Sequence, residues 1–83
     1  MGVERLEVAA QTSGADALFV LGMLYATGLD VEADLAVAHK WFNLAALRGN
    51  RSALAHRTEL AREMTANQIA LAQKLAREWL ATN

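Results

Sequence analysis

Residues 15–27 read ADALFVLGMLYAT, and residues 34–48, across a short turn, read DLAVAHKWFNLAALR. The first stretch is apolar on nearly every side. A helix on a protein surface shows a polar face, so residues 15–27 are expected to be covered on more than one side, with the rest of the chain packed around them. Ala and Leu are abundant, β-branched residues are sparse, and the chain contains no proline. Ala and Leu head the helix-propensity ranking because they lose little freedom in a helix. The fold class that follows is all-α.

Working outward, start and stop signals divide the chain into about five helices, over 3–11, 15–27, 33–48, 51–64 and 66–81. Val3, Leu6 and Ala10 recur at helical spacing in the first. Ser13 followed by Asp16 resembles a capping box with Asp in place of Glu, and an acid there suits the positive end of the helix dipole. In the second helix Ala17, Leu18, Leu21, Gly22 and Tyr25 share one face. A mid-helix glycine costs about 1 kcal/mol relative to alanine, so Gly22 implies the close approach of another helix. Gly28 is expected to end this helix in a left-handed conformation. Val31 is expected to tuck inward from the acidic turn. Asp34 is placed in the first turn of the third helix, whose buried side holds Ala38, Trp41, Phe42, Leu44 and Ala45. His39, Lys40 and Asn43 are expected to look outward.

Arg48 followed by Gly49 is a C-terminal signal, a cation in the last turn and then glycine. Asn50 can cap the fourth helix, with Ala53, Leu54, Leu60, Ala61 and Met64 on its apolar stripe. Thr65-Ala66-Asn67-Gln68 forms a capping box for the last helix, which carries Ile69, Ala72, Leu75, Ala76, Trp79 and Leu80 on one face.

Self-similarity adds a second level. Ala9-Ala10 recurs as Ala45-Ala46, Ala17-Leu18 as Ala53-Leu54, Gly14 is answered by Asn50 and Leu24 by Leu60, each pair 36 positions apart. A period near 36 is the length of one helix-turn-helix unit of a solenoid. The residues Leu21, Gly22, Leu24, Tyr25, Gly28, Val31, Asp34, Ala38, Trp41, Phe42, Ala45, Ala46 and Gly49 keep the spacing of one complete repeat that resembles the Sel-one-like repeat (SLR) family, relatives of the tetratricopeptide repeats with a longer turn. On that resemblance the chain is one SLR-type domain over 1–83. Residues 1–14 would be the tail of a preceding repeat, 15–49 the complete repeat, and 50–83 a degenerate capping repeat that keeps Ala53, Leu60 and Trp79. The resemblance implies antiparallel helix pairs in a short right-handed α-solenoid. It also implies work as an adaptor or scaffold, as in signalling, protein quality control and bacterial host interaction. The disulfide spacing of the family's cysteine-rich, β-lactam-binding branch is absent.

Composition narrows the functional classes. The absence of cysteine removes disulfides, thiol nucleophiles and cysteine-ligated zinc. The longest apolar run, 17–26, is shorter than the ~20 residues a membrane span needs, and MGVERLEV has no secretory apolar core. No membrane partner is expected, and the cytoplasm is the default compartment. Up to Val37 the chain has six acids against one base, a charge of −5, and from Ala38 onward seven bases against three acids, +4. Interleaved signs without a recognition motif argue against nucleic acid. The polarity can simply be solvated surface, or it can draw basic ends to acidic partners, including other copies.

His39 and His56 are read as surface histidines. Asp30, Glu32 and Asp34 lack the glycine and terminal glutamate of a calcium loop. No cofactor, metal or catalytic residue is expected, and the chain is read as a non-enzyme. Arg57 occupies the place of Leu21 one period on, so it reaches solvent at the end of the array or forms a semi-buried salt bridge. In this superfamily the variable side of a repeat's first helix lines the concave face. The expected contact residues for a protein or peptide partner are Asp16, Phe19, Met23 and Thr27, continued one period later by Ala55 and Glu59, between Ser52 and Glu63. The alternatives are that Phe19 and Val20 pack on the N-terminal helix, or that the apolar face forms a homodimer or docks on further repeats.

Overall fold

The computed structural model describes residues 4, 5, 7–9 and 14–82. Residues 4, 5 and 7–9 are helical, inside the first expected helix; the remainder of that helix and Ser13 lie outside the described residues. Four helices follow: α1 (Ala15–Thr27), α2 (Leu35–Leu47), α3 (Arg51–Ala61) and α4 (Ala66–Thr82). No strand occurs among the described residues, and the fold is all-α.

Short polar side chains set most helix starts. Asp34 is the N-cap of α2, not a residue of its first turn, and its carboxylate accepts the Val37 N–H at 3.1 Å. Asn50 caps α3 in the same way through Ala53 N–H at 3.0 Å. Thr65 and Gln68 satisfy each other's backbone N–H groups at 2.9 and 3.1 Å, the full reciprocal box expected for α4. At the start of α1, Gly14 occupies the cap at φ 95° with no side-chain bond. Gly28 closes α1 at φ 77°, its N–H bonded to the Leu24 carbonyl. Helix α3 ends three residues earlier than the periodicity suggests. The N–H groups of Arg62, Glu63 and Met64 each bond three residues back, the tightened pattern of a helix terminus.

Helix α2 is the hub, not α1: its largest interfaces are with α1, α3 and α4. It buries Ala36, Ala38, His39, Trp41, Phe42, Leu44 and Ala45, whereas α1 buries only Leu18, Leu21 and Gly22. The other apolar residues of α1, among them Phe19, Met23, Tyr25 and Ala26, pack against the core while remaining partly exposed. A nearly all-apolar circumference therefore does not make a central helix here; α2 takes that place because its large side chains project toward three neighbours.

The register is antiparallel between α1 and α2. Gly14 at the start of α1 approaches Arg48 just past α2, Gly22 faces Phe42 at mid-length, and the Tyr25 carbonyl accepts the Asp34 N–H at 3.0 Å. Gly22 is required at the crossing, because a Cβ there would lie 2.5 Å from two atoms of the Phe42 ring. Helix α3 runs antiparallel to α2 on another side, with Asn50 N–H on the Ala45 carbonyl and Arg57 bonded to Asn43. Helices α1 and α3 therefore run in the same direction. Asp16 meets Asn50, and Phe19 meets His56, so positions about one sequence period apart lie side by side.

Helix α4 closes the other side of α2, burying Ala72 and Ala76 and setting Trp79 edge-on to Trp41, with ring centroids 6.0 Å apart. Arg48 lies 5.0 Å from the Trp79 ring and Lys40 3.9 Å from the Trp41 ring, so two of the chain's cations are spread over this aromatic pair. Leu54 and Leu80, expected on the buried stripes of their helices, are 49% and 46% exposed. Each lies at the margin of its stripe, where a neighbouring helix covers one flank only. Val31 is half-buried, as its place in the turn suggested.

Candidate functional site

Helices α1 and α3 lie side by side and leave a trough between them with α2 beneath. Its walls are Met23 and Ala26 from α1, His56, Glu59 and Leu60 from α3 and Glu63 from the turn after α3, and its floor is Phe42. The hollow measures about 170 Å³ and continues into a second one lined by Ala55, His56 and Glu59. One end is closed by an aromatic triad, one ring from each helix. Phe19 and His56 meet edge-on at 5.0 Å, Phe42 lies 5.7 Å from Phe19, and Phe42 lies 5.4 Å from His56. Such contacts add about 0.5–1.5 kcal/mol beyond buried area and hold the spacing of the walls.

Met23 lines the first hollow, Ala55 the second, and Glu59 both. Phe19 is half-buried in the triad and forms the wall's foundation. Asp16 is exposed beyond the triad, where Asn50 Nδ2 donates to its Oδ1 at 3.4 Å. Thr27 turns away from the trough, its hydroxyl donating to the Met23 carbonyl at 2.8 Å. Ala26, Phe42, His56 and Leu60 were not anticipated as lining residues. For Phe42 a signal existed: a mid-helix glycine marks where a neighbouring ring comes close.

His56 is exposed, yet it packs on two phenylalanine rings, and its Nδ1 donates to the Ser52 carbonyl at 2.9 Å. A carbonyl can only accept, so that nitrogen carries the hydrogen and Nε2 is left as the ring's remaining polar atom. The expectation for His39 is overturned. It is only 6% exposed, its Nδ1 has no hydrogen-bond partner among the described residues, and burial, with Arg57 beside it, holds its pKa below the ordinary value. Lys40 and Asn43, also expected to look outward, are half-buried. Burial lowers the Lys40 pKa against the opposing pull of Glu7 and Glu78. Arg57 takes neither expected course, since its guanidinium is half-buried and donates to the Asn43 amide oxygen.

Of the residues that carry the repeat signature, Leu21, Gly22, Ala38, Trp41 and Ala45 are buried, and Gly28 and Gly49 take positive φ in the turns. Asp34 caps, and Tyr25 is half-buried, its pKa raised by burial and by the nearby charges of Glu7 and Asp34. No family model matches the chain, and no curated protein or solved structure matches it. Among the described residues no group of three His, Cys, Asp or Glu side chains is placed to hold a metal ion. No described helix is long and apolar enough to cross a membrane.

Proposed function

We propose that the chain is a protein–protein interaction module, an adaptor or scaffold that holds a segment of another protein in the trough between α1 and α3. The observation that carries this reading is the trough itself. Apolar side chains on three helices converge on one concave surface whose polar groups lie at the rim, the usual anatomy of a recognition site. The 13 residues of α1 span about 20 Å, room for roughly six extended residues or three to four helical turns.

We also read the fold as an SLR-type α-solenoid fragment. What supports this is that α1 and α3, related by the sequence period, run side by side in the same direction. The cytoplasm is the compartment we propose, and a cysteine-free composition suits a reducing environment. Membranes and nucleic acids are not proposed partners.

A second reading has its own support. Leu47 and Leu54 flank the α2–α3 turn at 65% and 49% exposure, and Leu71 and Leu80 lie along α4 at 47% and 46%. These side chains suit a homodimer or the docking of further repeats. Light scattering over a concentration series separates the two readings. The adaptor reading expects a monomer and loss of partner binding in Met23→Lys. A dimer dispersed by Leu71→Glu and Leu80→Glu, with partner binding intact in Met23→Lys, would replace it. Met23→Lys is a cleaner variant than any change at Phe19, which also supports the aromatic triad.

A further inference from the structure

The charge around the trough identifies the chemistry of its occupant, an inference that rests on the interaction-module reading above. Glu59 on α3 and Glu63 in the turn that follows it both line the hollow and are exposed, and Asp16 stands exposed beyond the aromatic triad. Glu59 shares Arg62, at 3.3 Å, with both side chains more than 70% exposed, so water screens the pair. The Glu63 carboxylate has no hydrogen-bond or ion-pair partner among the described residues. Apart from Arg62, the cations of α2 and Arg57 of α3 are engaged elsewhere. Lys40 and Arg48 stack on the tryptophans at the α2–α4 side, and Arg57 is bonded to Asn43 within the fold. The lining of the hollow therefore holds an apolar floor and two carboxylates, with no lysine or arginine among the described lining residues.

The chain's own N-terminal segment has acids at Glu4 and Glu7 against one base, so it does not complement carboxylates at the trough.

We propose that the trough receives a peptide segment of another protein that carries Lys or Arg next to a single apolar anchor. The anchor enters between Met23 and Leu60 onto the Phe42 ring, and the flanking cation lies against Glu59 and Glu63. Complementary charge at a rim sets partner choice and association rate, and the desolvated anchor supplies most of the affinity.

Selection from a random 12-residue peptide library tests this, with the purified chain as bait and Met23→Lys as counter-bait. The expected result is enrichment of peptides with Lys or Arg within two positions of Leu, Met or Phe. A chosen peptide should bind more weakly as salt rises, and Glu59→Lys with Glu63→Lys should weaken it tenfold or more, the scale of close interfacial charge pairs. Enriched peptides that are acidic or uncharged, lost on Met23→Lys but indifferent to Glu59→Lys and Glu63→Lys, would overturn the cationic assignment and leave the trough as a site. Enrichment indifferent to Met23→Lys as well would remove the trough from both readings. Salt-sensitive self-association of the chain abolished by Glu59→Lys and Glu63→Lys would give the trough to a second copy and overturn the proposal.

Discussion

At the scale of single residues, Gly22 shows two effects in direct opposition. Helix propensity favours alanine by about 1 kcal/mol. Packing opposes it, since the added Cβ would fall 2.5 Å from the ring of Phe42, which is 1% exposed. Overpacking of this kind costs typically 1–3 kcal/mol, and a contact this short belongs at the upper end. Gly22→Ala is expected to lose about 1–2 kcal/mol in urea unfolding with an unchanged m-value. His39 makes a second residue-scale prediction. Its folded pKa lies below the ordinary value of 6.5, so the unfolded chain binds the proton first as pH falls. The stability is therefore fully present above about pH 6.5 and is lost progressively below it, down to the folded pKa. Thermal unfolding from pH 7 to 5, above most carboxylate titration, should show this slope in the native chain and little of it in His39→Leu. A slope that persists in the variant would assign the effect to another group.

At the scale of elements, α4 is held to α2 by Ala72, Ala76 and Trp79. Trp79 is half-buried, so Trp79→Ala is expected to cost about 2–3 kcal/mol, below the 3–5 of a fully buried tryptophan. The chain has two tryptophans, and they are the pair that meets edge-on, so intrinsic fluorescence reports this interface. Emission from the remaining Trp41 should shift to the red as α4 loosens; unchanged emission would mean that α4 is held elsewhere. Elements were also where the sequence was most legible. The box at Thr65 and Gln68, the Asn50 cap and the glycine ends rest on local chemistry, which a sequence carries in full. His39 was misread because its burial depends on α3, a non-local neighbour that no helical wheel contains. The centrality assigned to residues 15–27 failed for a related reason. An apolar circumference cannot distinguish a helix covered by its own fold from one left partly open beside a trough.

At the scale of the whole molecule, the open surface of α1 and the acidic rim of α3 become a single feature. Met23 was placed near it by the resemblance to the repeat family, whose first helix lines the concave face, and Ala55 and Glu59 by carrying that face one sequence period on. Its floor could not be placed that way. Phe42 comes from the helix between the two walls and reads, in sequence, as one more core aromatic. Thr27 shows the limit of the same reasoning: one position on the expected face is enough for a hydroxyl to turn back to its own helix at Met23.

The most direct test of the trough's role is site-specific photo-crosslinking of the full chain in its native host. A photoreactive residue replaces Met23 inside the trough, or Lys74 on the exposed side of α4 as a control. A discrete adduct is expected from position 23, with a mass unlike that of two crosslinked copies of the protein, and none from position 74. Adducts from position 74 alone, or a dimer-sized adduct from position 23, would contradict it.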